Sequence, residues 1–390
     1  MKPAALPAPA PPPRKKEWSA NLWLGCDAFA WGRMLVRNRF AVHRSKWRVA
    51  AAVTAMSLVH TALRLVQAAT YGRQVARTPV RNAPLFILGH WRAGTTLLHE
   101  LLACDPRHAF PTTYECFAPH HFLITRSWWP QLFGWLMPRH RPMDNVAVGW
   151  ERPQEDEFAL CMLGEPSPYA RTAFPNRLPD ATDAADPRSL SPPALRRWKH
   201  TFYRLIQQLT CAHRGRRLIL KSPPHTFRIP MLLELFPDAR FVHIIRNPYA
   251  IYPSTLNQRR LMYCAHGFQQ PDWEGLQEYI LDTFVRMYDR LEEGKRRIAP
   301  GRFHELRYED LVRDPLGRLE AIYRELDLGD FAPARPHVEE YLVGVKDYQT
   351  NRYVLTVAEQ RAITRRWGDV IRRYGYTIRT DGPEEGRTTP

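Results

Sequence analysis

Three short apolar runs set the frame of this chain: LFIL (85–88), RLILK (217–221) and RFVHII (240–245). Each has the length and composition of a strand buried inside a parallel sheet. A fourth segment, FHELRYEDL (303–311), reads as a strand running into the start of a helix. Helical patterning separates the runs. It covers Thr95 to about Cys104, a short stretch from near Pro153, Leu195–His213, PHTFRIPMLLELF despite its internal Pro230, a helix after Asn247-Pro248, Trp273–Arg297 and Leu316–Leu326. Residues 105–142 and 165–193 are rich in Pro and polar residues and read as irregular, and the C-terminal end reads as polar. There are no internal repeats. Strands alternating with helices predict an α/β fold, a doubly wound and mostly parallel sheet of P-loop-like type with flanking helices. Ligands of such sheets sit beyond the carboxyl ends of the strands.

Ahead of this pattern lies a different one. Residues 1–18 are proline-rich and predict a solvated, extended tail with no apolar core suited to a secretory signal. Residues 19–80 interleave Trp, Phe, Leu and Val with Arg and predict a basic helical segment. The main domain then spans 81–378, with a polar tail at 379–390. Charge sharpens this division. Residues 1–80 hold thirteen Lys or Arg against Glu17 and Asp27, so 13 − 2 = +11 of the formal +17 lies there, leaving +6 for the other 310 residues. The longest charge-free apolar stretch, Val49–Leu63, has fifteen residues, short of the roughly 20 that a spanning helix needs. Arg33, Arg37, Arg39, Arg44, Lys46 and Arg48 precede it, with Trp23, Trp31 and Trp47 among them. That composition suits docking on an anionic cytoplasmic membrane face. It also suits a helical pair that covers the main domain with its Arg residues in water. No nucleic-acid module is recognisable. Six scattered cysteines without a CxxC pair argue against zinc clusters and fit a reducing compartment.

The chemistry begins at LFILGHWRAGTTLLHELL. A strand ends at Leu88, a loop runs from Gly89 to Gly94, and a helix starts at Thr95. Gly89 and Gly94 have P-loop spacing, and helix N-terminal amides attract anions. A triphosphate enzyme would place Lys after Gly94, where this chain has Thr95, and would end a neighbouring strand in a metal-binding carboxylate, where RFVHII ends in Arg246. The loop cation is Arg92 instead. The arrangement suits a nucleotide with several anionic groups and no required metal. A second motif, RNPYAIYPS, sets Arg246 after a strand and Ser254 eight residues later, a pair able to grip a phosphate.

Together GHWRAGTT and RNPYAIYPS resemble the 5'-phosphosulfate and 3'-phosphate motifs of the sulfotransferase superfamily that uses 3'-phosphoadenosine 5'-phosphosulfate (PAPS) as co-substrate. The resemblance spans about residues 84–375. It implies that Gly89, Arg92, Ala93, Gly94, Thr95 and Thr96 hold the 5'-phosphosulfate and that Arg246 and Ser254 hold the 3'-phosphate. It further implies that Lys221, in RLILKSPPH, stabilises the leaving group. KDYQTNRYVLT (346–356) resembles the late segment that closes over the nucleotide, through Lys346 and Asn351.

The acceptor hydroxyl needs a base. Cytosolic phenol-type relatives carry Lys-Thr-His at the strand end, but the triplet here is Lys221-Ser222-Pro223. Tyrosylprotein-type sulfotransferases, which the motifs resemble more, use a Glu shortly after the loop helix. That implies Glu115, in an aromatic setting with Phe110, Tyr114 and Phe117. His225 and the His120–His121 pair are the rivals, and the run Glu155-Asp156-Glu157 is expected to serve a helix N-terminus. Two other readings stay open at this level: a P-loop phosphotransferase, and a non-enzymatic basic membrane-binding protein. Glycan, lipid, small alcohol and tyrosine all remain open as acceptor.

Overall fold

The computed structural model describes residues 21–132, 149–176, 184–345 and 353–379. Its centre is a five-stranded parallel sheet of β1 (Leu85–Leu88), β2 (His108–Ala109), β3 (Arg217–Lys221), β4 (Arg240–Ile245) and β5 (Phe303–Arg307), in the order β2-β3-β1-β4-β5. The apolar runs are therefore the strands, as their pattern requires. The two-residue β2, at the sheet edge, is too short to carry a pattern. β1 is central. It pairs with β3 through Ile87 opposite Lys221 and with β4 through Leu88 opposite His243. The carboxyl ends of these three strands thus lie side by side, the crevice in which such sheets bind ligands.

Side chains alternate across the sheet, so each strand feeds two cores. Phe86, Leu88, Leu218, Leu220, Phe241 and Ile245 face one, Leu85, Ile87, Ile219, Val242 and Ile244 the other. The first core is covered by helices Pro192–Ala212, Pro248–His266, Leu276–Lys295 and Val357–Arg373. The last of these corrects the polar reading of the C-terminal end. Ile363, Trp367, Val370 and Ile371 are buried on one face, and the Trp367 ring stacks on Phe284 at 3.8 Å. Pro230 is tolerated because it sits in the first turn of the Ile229–Leu235 helix, where its missing N–H has no intrahelical partner to lose.

The basic N-terminal segment forms two antiparallel helices, α1 (Ala28–Arg37) and α2 (Trp47–Arg77). Ala28 N donates to Thr61 Oγ1 at 3.0 Å and Trp31 Nε1 to Thr54 Oγ1 at 2.9 Å. The pair lies on the main domain. Trp23, Trp31 and Val53 are buried in one apolar cluster with Trp91, Tyr169, Phe174 and Phe268. The stripe of α2 facing the protein is partly polar: Val53, Ser57, His60, Gln67 and Val75. His60 meets His121 at 2.6 Å, and Gln67 Oε1 accepts from Leu123 N at 2.8 Å. The hairpin thus packs on the main domain through a partly polar stripe.

Several buried imidazoles bear on stability. Burial lowers His90 and His121 to about 3 and His266 to about 4. Folded, these rings stay neutral; unfolded, they take up protons below about pH 6.5. Their contribution is complete above about pH 6.5 and is lost progressively as pH falls to about 4 for His266 and about 3 for His90 and His121. Asp105 and Glu305, both held down to about 2, lose theirs only at lower pH, below about 4.5. Scanning calorimetry from pH 7.5 to pH 5 is expected to show Tm falling by at least about 5 °C. A flat or rising Tm over that window would contradict the neutral, buried assignment.

Candidate active site

The loop between β1 and the helix α3 (Thr95–Ala103) adopts backbone conformations that few residues tolerate. Gly89 has φ +147°, and a Cβ there would lie 2.6 Å from the Ile244 carbonyl. Gly94 has φ +101°, and its Cβ would strike the Tyr308 ring at 2.2 Å. Between them Arg92 itself sits at φ +70°. A non-glycine residue held there costs on the order of 1–3 kcal/mol, and such strain concentrates at functional sites. Gly89 N donates to Thr226 Oγ1 at 2.9 Å, which ties the loop to the segment after β3. No side chain caps α3. Ala93 and Thr95 are buried at its entrance, and Thr96, in the first turn, is half-buried.

This strained turn presents Arg92 to the second motif. Arg92 Nε donates to Ser254 Oγ at 2.9 Å, and Arg246 Nη1 donates to the Arg92 carbonyl at 3.3 Å. The Arg246 guanidinium lies over Tyr308 at 4.4 Å. Two motifs 162 residues apart thus converge on one set of donors: two guanidinium groups, a hydroxyl and the uncapped amides of α3. That set fits an anionic ligand.

The acid run opposite divides its work three ways. Glu155 is the residue before the Asp156–Met162 helix and does not cap it. Its Oε1 accepts from Lys221 Nζ at 2.8 Å, and its Oε2 accepts from the Tyr169 hydroxyl. Asp156 accepts from Ser222 Oγ at 3.0 Å and from His225 Nε2 at 2.6 Å. Glu157 pairs with both terminal nitrogens of the buried Arg228, and its N–H donates to Ser222 Oγ at 2.9 Å. Burial alone would raise Asp156, but the charge of His225 and the hydrogen bonds from His225 and Ser222 hold its carboxyl below the usual range. Trp91 Nε1 donates to the Tyr169 oxygen at 2.9 Å. Burial, then the neighbouring Glu155, push the Tyr169 phenol well above its ordinary value, so it stays protonated. Lys221, Glu155, Tyr169 and Trp91 therefore form one connected line from the end of β3 to the loop that carries Arg92.

The sequence-predicted residues separate on this geometry. Arg92, Arg246 and Ser254 come together; Lys221 lies at the end of the adjoining strand, 1% exposed. Glu115 is placed elsewhere. It completes a capping box on α4 (Thr113–Phe117), accepting from Thr112 N at 2.9 Å, and it meets His213 Nε2 at 3.0 Å. His225 is fully buried behind Asp156. His120 Nε2 meets the Met162 carbonyl at 3.1 Å, and His121 is engaged by His60 and Thr125. Lys346 and Asn351 lie outside the described residues. Glu155 is the site carboxylate that sequence reasoning missed. The three consecutive acids opposite a strand end carrying Lys, Ser, His and Arg were the available signal. Among the described residues, no group of three or more His, Cys, Asp or Glu side chains is placed to hold a metal ion.

The sulfotransferase family model matches residues 84–333. The chain belongs to the sulfotransferase family. As a sulfotransferase it is 48% identical over 377 residues to the omega-hydroxy-beta-dihydromenaquinone-9 sulfotransferase Stf3 of Mycobacterium bovis and of Mycobacterium tuberculosis, covering 97% of this chain and 96% of each relative. Its fold resembles that of sulfotransferase STF9 from Mycobacterium avium (TM-score 0.59, 20% identity, 95% of this chain and 100% of that one). It also resembles STF1 from Mycobacterium tuberculosis (TM-score 0.58, 19% identity, 87% and 91%). Membership of this family displaces both the phosphotransferase reading and the non-enzymatic one.

Capping makes Glu115 testable on its own. Glu115→Ala is expected to lower the denaturant midpoint, with a loss of about 1–2 kcal/mol. Turnover of the folded sulfotransferase should remain within about threefold of the parent. Abolished turnover at unchanged stability would return Glu115 to the catalytic role.

Proposed function

We propose that this sulfotransferase moves the sulfuryl group of PAPS to the hydroxyl of a hydrophobic acceptor, a hydroxylated isoprenoid quinone of the kind named in its mycobacterial relatives. The donor assignment rests on the 2.9 Å contact between Arg92 and Ser254, which joins the two motifs into one anion-binding surface. The acceptor assignment draws support from 48% identity along nearly the whole chain. The six cysteines are free thiols, in keeping with a cytoplasmic reaction.

The residues divide the reaction as follows. As the acceptor oxygen bonds to sulfur, the bond from sulfur to the 5'-phosphate oxygen breaks. Negative charge grows on that phosphate, where Arg92 and Lys221 are the available cations. The acceptor proton passes to Glu155. Tyr169, kept protonated, and Trp91 fix the carboxylate. Lys221 binds Glu155 in the resting arrangement. Drawn towards the leaving phosphate, it frees Oε1 to receive the proton. Arg246 and Ser254 grip the 3'-phosphate and make the site selective for a nucleotide that carries one.

Calorimetry tests the donor. The protein should bind 3'-phosphoadenosine 5'-phosphate at least about tenfold more tightly than AMP, the worth of one charge-assisted contact. Arg246→Ala should erase the difference. Equal affinity of the parent for both nucleotides would refute the assignment. Glu155→Gln should lower turnover by at least about a hundredfold while nucleotide affinity changes little. Near-parental turnover would place the base elsewhere. The acceptor is read by mass spectrometry of a hydroxylated menaquinone after incubation with PAPS. Sulfation confined to water-soluble phenols would overturn that part.

A further inference from the structure

We infer that the outer face of the α1–α2 hairpin is a docking surface for an anionic lipid leaflet, on which the enzyme lies without crossing. The first observation is an inverted helix. A helix on a water-soluble domain turns its apolar stripe inward and its polar face outward. In α2 the buried stripe includes Ser57, His60 and Gln67. The opposite side carries Leu58, Val59, Leu65 and Val66, with Leu58 61% and Leu65 62% exposed. Phe29, Val36 and Phe40 of α1 and its following turn, and Trp47 at the start of α2, are exposed as well. The Arg44–Arg77 stretch is long and apolar enough to span a bilayer by length and composition, yet only 17% of its apolar window is buried in the protein.

The second observation is charge, and it selects the occupant. Residues 28–77 contain nine Lys or Arg and no Asp or Glu. Arg44, Lys46 and Arg48 flank the exposed Trp47, and Arg37 and Arg39 precede the exposed Phe40. Aromatic and aliphatic groups ringed by cations suit the interface of an anionic leaflet, and two weak signals together give firm attachment. A second copy of this hairpin would instead set nine positive charges against nine. Spanning is disfavoured by the inner stripe. The contacts of His60 with His121 and of Gln67 with Leu123 would all have to break. The docking stands whether or not the acceptor is a lipid.

Flotation of the full chain tests this. It should rise with vesicles of mixed phosphatidylglycerol and phosphatidylcholine, rise weakly with phosphatidylcholine alone, and lose at least about tenfold of its partitioning in high salt. Leu58→Glu combined with Leu65→Glu should abolish flotation with Tm and 3'-phosphoadenosine 5'-phosphate affinity unchanged, since both side chains face outward. The donor reading fails only on the nucleotide measurement, so the two ideas are separable. Three results overturn the docking: a parent chain that ignores anionic vesicles; a parent that forms dimers dispersed by the double variant without binding vesicles; or attachment that resists alkaline carbonate extraction, which would mean a spanning helix.

Discussion

Three carboxylates in sequence, buried together, would repel one another and lose their hydration unless each found its own partner. Glu155, Asp156 and Glu157 do so on one short stretch, Lys221 to Arg228, and much of the site follows from that clasp. Removing one member of a buried ion pair costs roughly 3–5 kcal/mol, because the other charge is left stranded. The clasp therefore fixes where β3 ends and how the chain leaves it. Thr226 on that exit holds Gly89, so the loop shape depends on it too. The pairs are directed differently. Asp156 and Glu157 are sealed against fully buried partners, while Glu155 keeps some exposure and faces a line of groups leading to Arg92. Those two contacts hold the framework, and the third keeps its exposure.

The same frame explains how a strained loop persists. Arg92 at positive φ is unfavourable alone, and Gly94 meets Tyr308 where no other residue would fit. Tyr308 lies at the junction of β5 and its following helix and also carries the Arg246 guanidinium on its ring. One aromatic side chain thus excludes a Cβ at Gly94 and seats the cation of the second motif. Neighbouring strands place these groups side by side before any ligand arrives, so little reorganisation is left for binding.

The sheet was legible because buried parallel strands are short apolar runs and because two motifs mark their carboxyl ends. The carboxylate proposed as base was harder to read. Glu115 follows the loop helix at a plausible distance, but Thr112 three residues earlier makes it a capping-box residue, a local signature that the family comparison overrode. Glu155 looked like helix N-terminal charge, and nothing local distinguishes a cap from a carboxylate aimed at a lysine 66 residues away. The Val357–Arg373 helix was hidden by its many arginines, although Ile363, Trp367, Val370 and Ile371 hold the helical period. Val49–Leu63 understated α2, because Arg64 interrupts the apolar run without interrupting the helix.

Arg64 also shows how the N-terminal pair is held together. It bridges to Asp27 at 2.9 Å, and Asp27 caps α1 through Ala30 N at 2.7 Å. Asp27 is the only acid between residues 18 and 80, and it is spent on holding the hairpin together. Of the other cations, Arg33 donates to the Gly164 carbonyl at 3.1 Å and Lys46 to the Cys264 carbonyl at 3.1 Å, which tie the hairpin to the main domain. On the inner side Trp23 and Trp31 share one apolar cluster with Trp91, the neighbour of Arg92 in the phosphate loop. The hairpin is therefore packed against the phosphate loop on its inner face, opposite the proposed docking surface.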